Sequence, residues 1–224
     1  MTKKSILRAC GALLTTTVLL ALAPASHAAS TLFYQVTLNV AALDSNLDAP
    51  FSIDVQLVTG SGNVTNTVSL SNFTFTGGSL VGSPNFSAGS PSGSFSGTLT
   101  LTNNAPVTEL AQEFSNTVTQ ISFVVAQSTN SEVVGSGTPI NDQFNVFIDD
   151  INTADGFVPT TDPSGADTLL SSTIMANETL NQIGTFSSVA PDSGVTTAIA
   201  VPEPASAALL LFGAVGLVAR RRRA

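Results

Sequence analysis

The chain has 224 residues, of which 43% are hydrophobic and 10% charged, and its formal net charge is −8. All Lys and Arg residues lie near the two ends, and the single Cys and single His are Cys10 and His27. The stretch from Ala29 to Ala200 contains no Cys, His or Lys. It therefore cannot form an active site that needs a Cys nucleophile, a Ser-His-Asp triad, zinc bound by Cys or His, or a Schiff-base Lys. Because it also lacks a positive surface, we predict no nucleic-acid partner.

The N-terminus has the order of a secretory signal peptide. Positive residues precede an apolar run that ends at Pro24, and a stretch of small residues follows. We predict a signal peptide over residues 1–28, cleaved between Ala28 and Ala29. An uncleaved membrane anchor is the alternative, but the apolar run is short for a membrane span.

The C-terminus combines a short motif, an apolar segment and a cluster of positive charge. In order, these are the motif Val201, Pro202, Glu203 and Pro204, an apolar stretch over residues 205–219, and the cluster Arg220, Arg221, Arg222 and Arg223. We predict a short transmembrane helix over the apolar stretch. At 1.5 Å per residue it would be about 22 Å long, so it would span a hydrocarbon core of about 30 Å only with bilayer thinning or arginine snorkelling. The arginines predict that this end stays cytoplasmic and that the preceding chain is exported.

These three features, in this order at residues 201–224, resemble the PEP-CTERM sorting signal of Gram-negative bacterial surface proteins. The resemblance implies that an exosortase, a multi-pass membrane cysteine protease, recognises Pro202, Glu203 and Pro204 and processes the chain near them. It assigns retention charge to Arg220 through Arg223. It also implies an inner-membrane anchor before processing, a place at the cell surface or outside the cell afterwards, and a setting of exopolysaccharide and biofilm. A simple tail anchor without processing is the alternative.

The stretch between the two ends has the period-two alternation of a β-protein. Strands are predicted at residues 32–40, 51–57, 68–75, 94–102, 118–125, 144–148 and 168–174. Within the third of these, the apolar phase shifts between Leu70 and Phe73, which predicts a β-bulge.

Only one patch has helical spacing. The apolar residues Val107, Leu110, Ala111 and Phe114 would form one face of two helical turns after a proline. Several short strands with turn-rich links and no alternating helices predict an all-β fold, a single jelly-roll-like β-sandwich over residues 29–189. A flexible tether over 190–200 would then join this ectodomain to the sorting signal.

The predicted ectodomain is rich in carboxylates that have no basic partner in the sequence. They repel one another, and bound cations would relieve that repulsion. Calcium is the candidate, because it is a hard ion that takes oxygen ligands. The densest cluster of candidate ligands is Asp149, Asp150, Asn152 and Asp155, followed by Gly156. It departs from the EF-hand pattern by one extra residue before Asp155 and by the lack of a Glu at the twelfth position. Turn capping by these side chains is the alternative, and no other cofactor is predicted.

Together these observations predict a non-enzymatic exported protein with a structural or adhesive role at the cell surface or in the exopolysaccharide matrix. One alternative is a calcium-dependent carbohydrate-binding module whose partner is exopolysaccharide. Another is a glycoside hydrolase, which needs two carboxyl groups about 5–9.5 Å apart. No such pair stands out in the sequence. Sugar-binding clefts favour exposed Trp and Tyr, whereas this chain has no Trp and only Tyr34.

Overall fold

The computed structural model describes residues 31–43, 50–61, 64–129, 140–150, 156–175, 183–189 and 193–200. Within these ranges no helix is long and apolar enough to cross a membrane. Several predicted features lie outside the described residues: the signal peptide with Ala28 and Ala29, the motif at 201–204, the helix at 205–219, Arg220 to Arg223, and the calcium candidates Asn152 and Asp155.

The described residues form twelve strands in two antiparallel sheets of six. The strands are β1 (Thr31–Asn39), β2 (Phe51–Val58), β3 (Thr67–Thr76), β4 (Phe86–Ala88), β5 (Ser92–Gly93), β6 (Leu99–Thr102), β7 (Val107–Phe114), β8 (Gln120–Ser128), β9 (Gln143–Asp150), β10 (Leu170–Thr173), β11 (Ile183–Thr185) and β12 (Thr196–Ala200). A 3-10 turn spans Ala41–Leu43. Sheet A has the order β12-β1-β8-β3-β6-β5, and sheet B has the order β11-β10-β9-β2-β7-β4.

Alternate residues of the central strands build one hydrophobic core between the two sheets. Along β1, Tyr34, Val36 and Leu38 are fully buried, whereas Phe33 is half-exposed. The same cluster includes Ile53 and other residues of sheet B. Each such aliphatic or aromatic side chain contributes about 1.5–3 kcal/mol relative to an exposed one. The predicted all-β sandwich is confirmed at the level of two packed antiparallel sheets.

A buried polar contact also joins the two sheets. The Tyr34 hydroxyl on β1 donates to Gln127 Oε1 on β8 at 3.1 Å, and the Ser172 hydroxyl on β10 donates to the same oxygen at 2.8 Å. Burial raises the pKa of Tyr34 well above its usual value, although its hydrogen-bonding contact with Ser172 opposes the rise. The hydroxyl therefore stays protonated. Since Tyr34 is fully buried, it is a core residue and not a surface for stacking sugars.

The predicted bulge in the third strand is confirmed. Pairing between β3 and β8 shifts register between Ser71 and Thr74, where Asn72 has a φ of 56°. Asn tolerates this left-handed conformation better than most residues. Beyond the bulge, Phe73 packs against the core, with its ring centroid 5.2 Å from that of Phe95 in an edge-to-face arrangement.

The prediction of two helical turns after Pro106 is wrong, because residues 107–114 form strand β7. Helical spacing was only apparent, since Leu110 and Phe114 are also an even number of residues apart and are both buried in the strand. All eight residues of β7 pair with β2, and β4 pairs with its other side. Backbone hydrogen bonds to two neighbouring strands outweigh a weak helical preference.

The second half of the predicted flexible tether forms a strand of sheet A. Thr196–Ala200 forms β12, which pairs with β1 along residues 35–39 at the edge of sheet A. Val195 immediately before it is fully buried, and its backbone N–H donates to the Ser188 hydroxyl at 2.9 Å. These contacts hold residues 195–200 on the sandwich, in contrast to the predicted tether.

Candidate functional site

The outer face of sheet B brings together carboxyl groups that are distant in sequence. Asp54 and Gln56 lie on the face of β2 that points away from the core, and the strand register places Glu109 of β7 and Asn145 of β9 on either side of Gln56. Asp149 lies four residues beyond Asn145, on the same face of β9. We call Asp54, Glu109 and Asp149 the acid cluster.

Neighbouring segments of the chain cover part of this outer face. Only 1% of Asp54 and 6% of Asn145 is exposed. Asn85 covers part of the face, and its Nδ2 donates to the Ser52 hydroxyl at 3.0 Å. On the other side, Phe157 stacks on Phe147, with ring centroids 4.7 Å apart and planes 27° from parallel. Asp54 therefore lies in a poorly hydrated environment, where charge is costly, whereas Glu109 and Asp149 are half-buried.

Several buried oxygen atoms at the site lack a partner. Gln56 Nε2 donates to Asp54 Oδ2 at 2.8 Å. The other oxygen, Asp54 Oδ1, is buried, as are Asn145 Oδ1 and Asp149 Oδ1, and none of the three accepts a hydrogen bond from the described residues. The carboxyl groups of Asp54 and Glu109 are in hydrogen-bond contact with each other. Because a carboxylate cannot donate, one member of this pair must hold a proton.

The environment assigns that proton to Asp54. Burial, followed by the negative charges of Asp149 and Glu109, raises the pKa of Asp54 to about 9. Burial also raises the pKa of Glu109, but hydrogen bonds from Asp54 and Gln56 oppose the rise. Burial and the charge of Glu109 raise the pKa of Asp149 to about 7. No Lys or Arg between residues 29 and 200 can offset these effects, so neutral Asp54 donates to the Glu109 carboxylate at pH 7.

Of the predicted calcium ligands, the structure describes two and directs them differently. Asp149 and Asp150 are consecutive residues of β9, so their side chains lie on opposite faces of the strand. Asp149 belongs to the acid cluster, whereas Asp150 is buried and its backbone N–H donates to the Gly156 carbonyl at 2.9 Å. In the described part of the chain, no three His, Cys, Asp or Glu side chains are grouped so that they could hold a metal ion.

The acidic residues that follow have the turn-capping role. Asp162 Oδ1 accepts from the Ser164 backbone N–H at 2.9 Å, and Asp162 Oδ2 accepts from the Thr168 hydroxyl. Partial burial opposes these bonds, but they lower the pKa of Asp162 below its usual value. Asp167 Oδ1 likewise accepts from the Thr160 backbone N–H at 2.9 Å. These two side chains are committed to shaping their own loop.

Sequence reasoning missed the pairing of Asp54 with Glu109. Period-two alternation places Asp54 on the polar face of its strand, opposite Ile53 and Val55, but does not show what covers that face. The available signal was weak: an Asp between Ile53 and Val55, in a strand apolar enough to lie in the middle of a sheet. Only the pairing of β2 with β7 brings Glu109 to it.

Comparison with known proteins identifies the end of the chain that follows β12. Residues 200–223 match the model of the PEP-CTERM protein-sorting motif. The chain thus carries this motif, which implies export, a C-terminal membrane-associated sorting signal, and processing by an exosortase, a membrane protein. No curated protein and no solved structure matches the chain.

Proposed function

We propose that this protein is a non-enzymatic surface or matrix component, whose β-sandwich has a structural or adhesive role linked to exopolysaccharide once the C-terminal motif has directed it to the cell envelope. The observation that carries the proposal is the direct connection between the two parts. The matched motif begins at Ala200, which is also the last residue of β12. Sorting therefore determines where the sandwich is displayed, and the signal peptide cleaved at Ala28 and Ala29 provides entry to the export route.

In this proposal the exosortase recognises Pro202, Glu203 and Pro204, and the chain is held in the inner membrane by residues 205–219 until it is processed. The test is to express Glu203→Ala and a deletion of Arg220 through Arg223 in the producing organism, and to follow mass and location by immunoblotting of cell fractions. Both variants should accumulate as unprocessed or misplaced precursor.

The matched control for sorting is Glu113→Ala, which removes a carboxylate from β7 and leaves the motif intact. It should mature like the wild type. If Glu203→Ala and the arginine deletion also mature and localise like the wild type, the proposed processing is wrong.

We assign the sandwich to the jelly-roll type, as its strand order supports. The run β1-β8-β3-β6 of sheet A and the run β2-β7-β4 of sheet B divide consecutive strands between the sheets. Such a chain crosses repeatedly from one sheet to the other, as double Greek-key sandwiches do. This topology places β2 between β7 and β9 and so assembles the acid cluster.

A second candidate function is carbohydrate binding by the outer face of sheet B. Phe86 of β4 is 51% exposed and pairs with Ala111, which in turn pairs with Asp54 on the same face. An exposed aromatic ring beside carboxyl groups suits a sugar, because the ring packs on the apolar face of the sugar while carboxylate oxygens accept from its hydroxyls.

Binding of the full chain to exopolysaccharide from the producing organism tests this candidate. Phe86→Ala should abolish binding. Phe33→Ala is the matched control, because Phe33 is 54% exposed on β1 of the other sheet and should be dispensable. Equal binding by both variants, or no binding by the wild type, would eliminate the candidate and leave the structural role.

The pair of Asp54 and Glu109 does not support the hydrolase alternative. Retaining and inverting glycosidases separate their two carboxyl groups by about 5–9.5 Å, which leaves room for the sugar or a water molecule. The Asp54 and Glu109 carboxyl groups are in direct hydrogen-bond contact. We therefore include no catalytic activity in the proposed function.

A further inference from the structure

We propose that Asp54, Glu109 and Asn145 form a binding site for a divalent cation, with calcium as the preferred ion, on the outer face of sheet B. The site is distinct from the loop that the sequence predicted, since it uses neither Asp150 nor the residues that follow it. It also does not depend on the sorting function, so the two proposals can fail separately.

The strand register sets the position of the ligands. Glu109 and Asn145 flank Gln56 from the two neighbouring strands, and Asp54 lies two residues from Gln56 on the same face of β2. Side chains on diagonal positions of neighbouring strands are within reach of one another. Asp54 is therefore within reach of both Glu109 and Asn145, which lie on opposite sides of β2, and three strands that pair continuously hold the three ligands.

The unpartnered oxygens indicate what the site lacks. Only 6% of the Asn145 surface is exposed. Neither Asn145 Oδ1 nor Asp54 Oδ1 accepts a hydrogen bond from any described residue. A buried acceptor without a partner costs about 1–3 kcal/mol. Asn145 carries no charge, so its orphan oxygen is evidence independent of the carboxyl groups. One cation would satisfy both oxygens.

The donor set favours calcium. Two carboxyl groups and an amide oxygen are hard oxygen ligands, and calcium tolerates irregular geometry and mixed ligands, whereas magnesium demands a near-ideal octahedron. Only two of the three ligands are carboxyl groups, and the described residues contain no group of three His, Cys, Asp or Glu that could hold a metal ion. Asp149 would add negative charge nearby without being required as a ligand.

Cation binding must displace the proton that Asp54 and Glu109 share. The ion takes the place of the proton between the two carboxyl groups, and the proton is released to solvent. The titratable groups on this face are Asp54 of β2, Glu109 and Glu113 of β7, and Asp149 of β9. All are acidic, and carboxyl groups bind a cation in their deprotonated form, so the calcium affinity should rise with pH.

The test is calorimetric titration of the full-length chain, purified in chelator and then freed of it, with calcium chloride at pH 6.0 and pH 8.5. Calcium should bind more tightly at pH 8.5 than at pH 6.0, with release of protons, because the carboxyl ligands must lose their protons to bind it. Magnesium should bind at least ten times more weakly than calcium. The melting temperature should rise with the free calcium concentration.

Three variants locate the site. Asp54→Asn resembles the neutral acid already present and should fold, yet it should lose at least tenfold in calcium affinity together with the proton release. Glu109→Gln should lose a similar factor. Asp167→Asn, the same chemical change at a turn-capping residue, should bind like the wild type. The proposal is overturned if the wild type does not respond to calcium at pH 8.5, or if Asp54→Asn and Glu109→Gln respond as strongly as the wild type.

Discussion

Asp54 and Asp142 are both buried aspartates, yet their surroundings are opposite. Asp142 lies before β9 at one end of the sandwich, with none of its surface exposed. It accepts from the Gly60 backbone N–H at 2.6 Å, from Asn66 Nδ2 at 3.0 Å and from Asn103 Nδ2 at 2.6 Å. Asp54 accepts from Gln56 and otherwise faces carboxyl groups.

The difference separates a carboxyl group that builds the fold from one that is available for binding. A buried carboxyl group is tolerated where hydrogen-bond donors surround it, and the network around Asp142 supplies three such donors. Gly60 belongs to that network through its backbone N–H. The position leaves no room for a side chain, because a Cβ there would lie 1.9 Å from the Ile140 carbonyl oxygen. Asp54 instead requires a proton or a cation, and exchange between the two makes its site sensitive to solution conditions.

The strongest test of this contrast is Asp142→Ala. Removal of the carboxyl group takes away the acceptor that Gly60, Asn66 and Asn103 share, and Asn66 is buried, so we expect the free energy of unfolding to fall by about 3–5 kcal/mol at pH 7. Urea denaturation followed by circular dichroism measures the loss. Asp142→Asn keeps one acceptor oxygen and should lose less. A loss below about 1 kcal/mol for Asp142→Ala would show that the network is not structural.

The pH dependence of stability tests the other site. In chelator, the folded protein keeps protons on Asp54 and Asp149, whose pKa values of about 9 and 7 lie above the unfolded value of 3.8. The stability that these retained protons contribute to the folded state is fully present below pH 3.8. It falls as the pH rises and is lost above about pH 9. We expect a loss of about 2–3 kcal/mol between pH 5 and pH 9, roughly half of the ideal slope for one proton. Denaturation at pH 5, 7 and 9 would contradict this if stability rose with pH.

Asp54→Asn should change the free energy of unfolding less than Asp142→Ala does, and at high pH it should raise it. The amide resembles the neutral acid, so the free energy of unfolding should change by less than about 1 kcal/mol at pH 7. At pH 9 in chelator the variant should be more stable than the wild type, because it has no charge to bury. A flatter stability profile between pH 5 and pH 9 is the diagnostic result. A variant with the wild-type slope would show that Asp54 does not hold the proton.

The smallest effect is expected on the outer face of sheet A, which is neutral and rich in hydroxyl groups. The hydroxyls of Thr37 and Ser122 lie 3.3 Å apart there and are only partly buried. Thr37→Val should change the free energy of unfolding by no more than about 0.5 kcal/mol and leave its pH dependence unchanged. Thermal unfolding at pH 5 and pH 9 measures both quantities. A larger change would place an energetic site on this face as well.

Much of the fold followed from local patterns. Alternation located β1, β2, β8 and β9, and the phase shift in β3 located its bulge, because a residue's side of a strand depends only on its position. Spacing failed for residues 107–114, which fit a helix and a strand equally well. It failed again for β12, whose pairing with β1 joins residues more than 150 positions apart.

The sequence by itself identified the sorting signal, because this signal is a short contiguous motif that can be recognised without knowledge of the fold. It also determined that the carboxyl groups of residues 29–200 have no Lys or Arg within that stretch to pair with. Only the tertiary structure decided which of them meet. Asp54, Glu109 and Asn145 are tens of residues apart, and their juxtaposition depends on the insertion of β2 between β7 and β9. Sheet order is set by long-range burial of the inner faces, and for that reason the site on the outer face could not be located from sequence spacing.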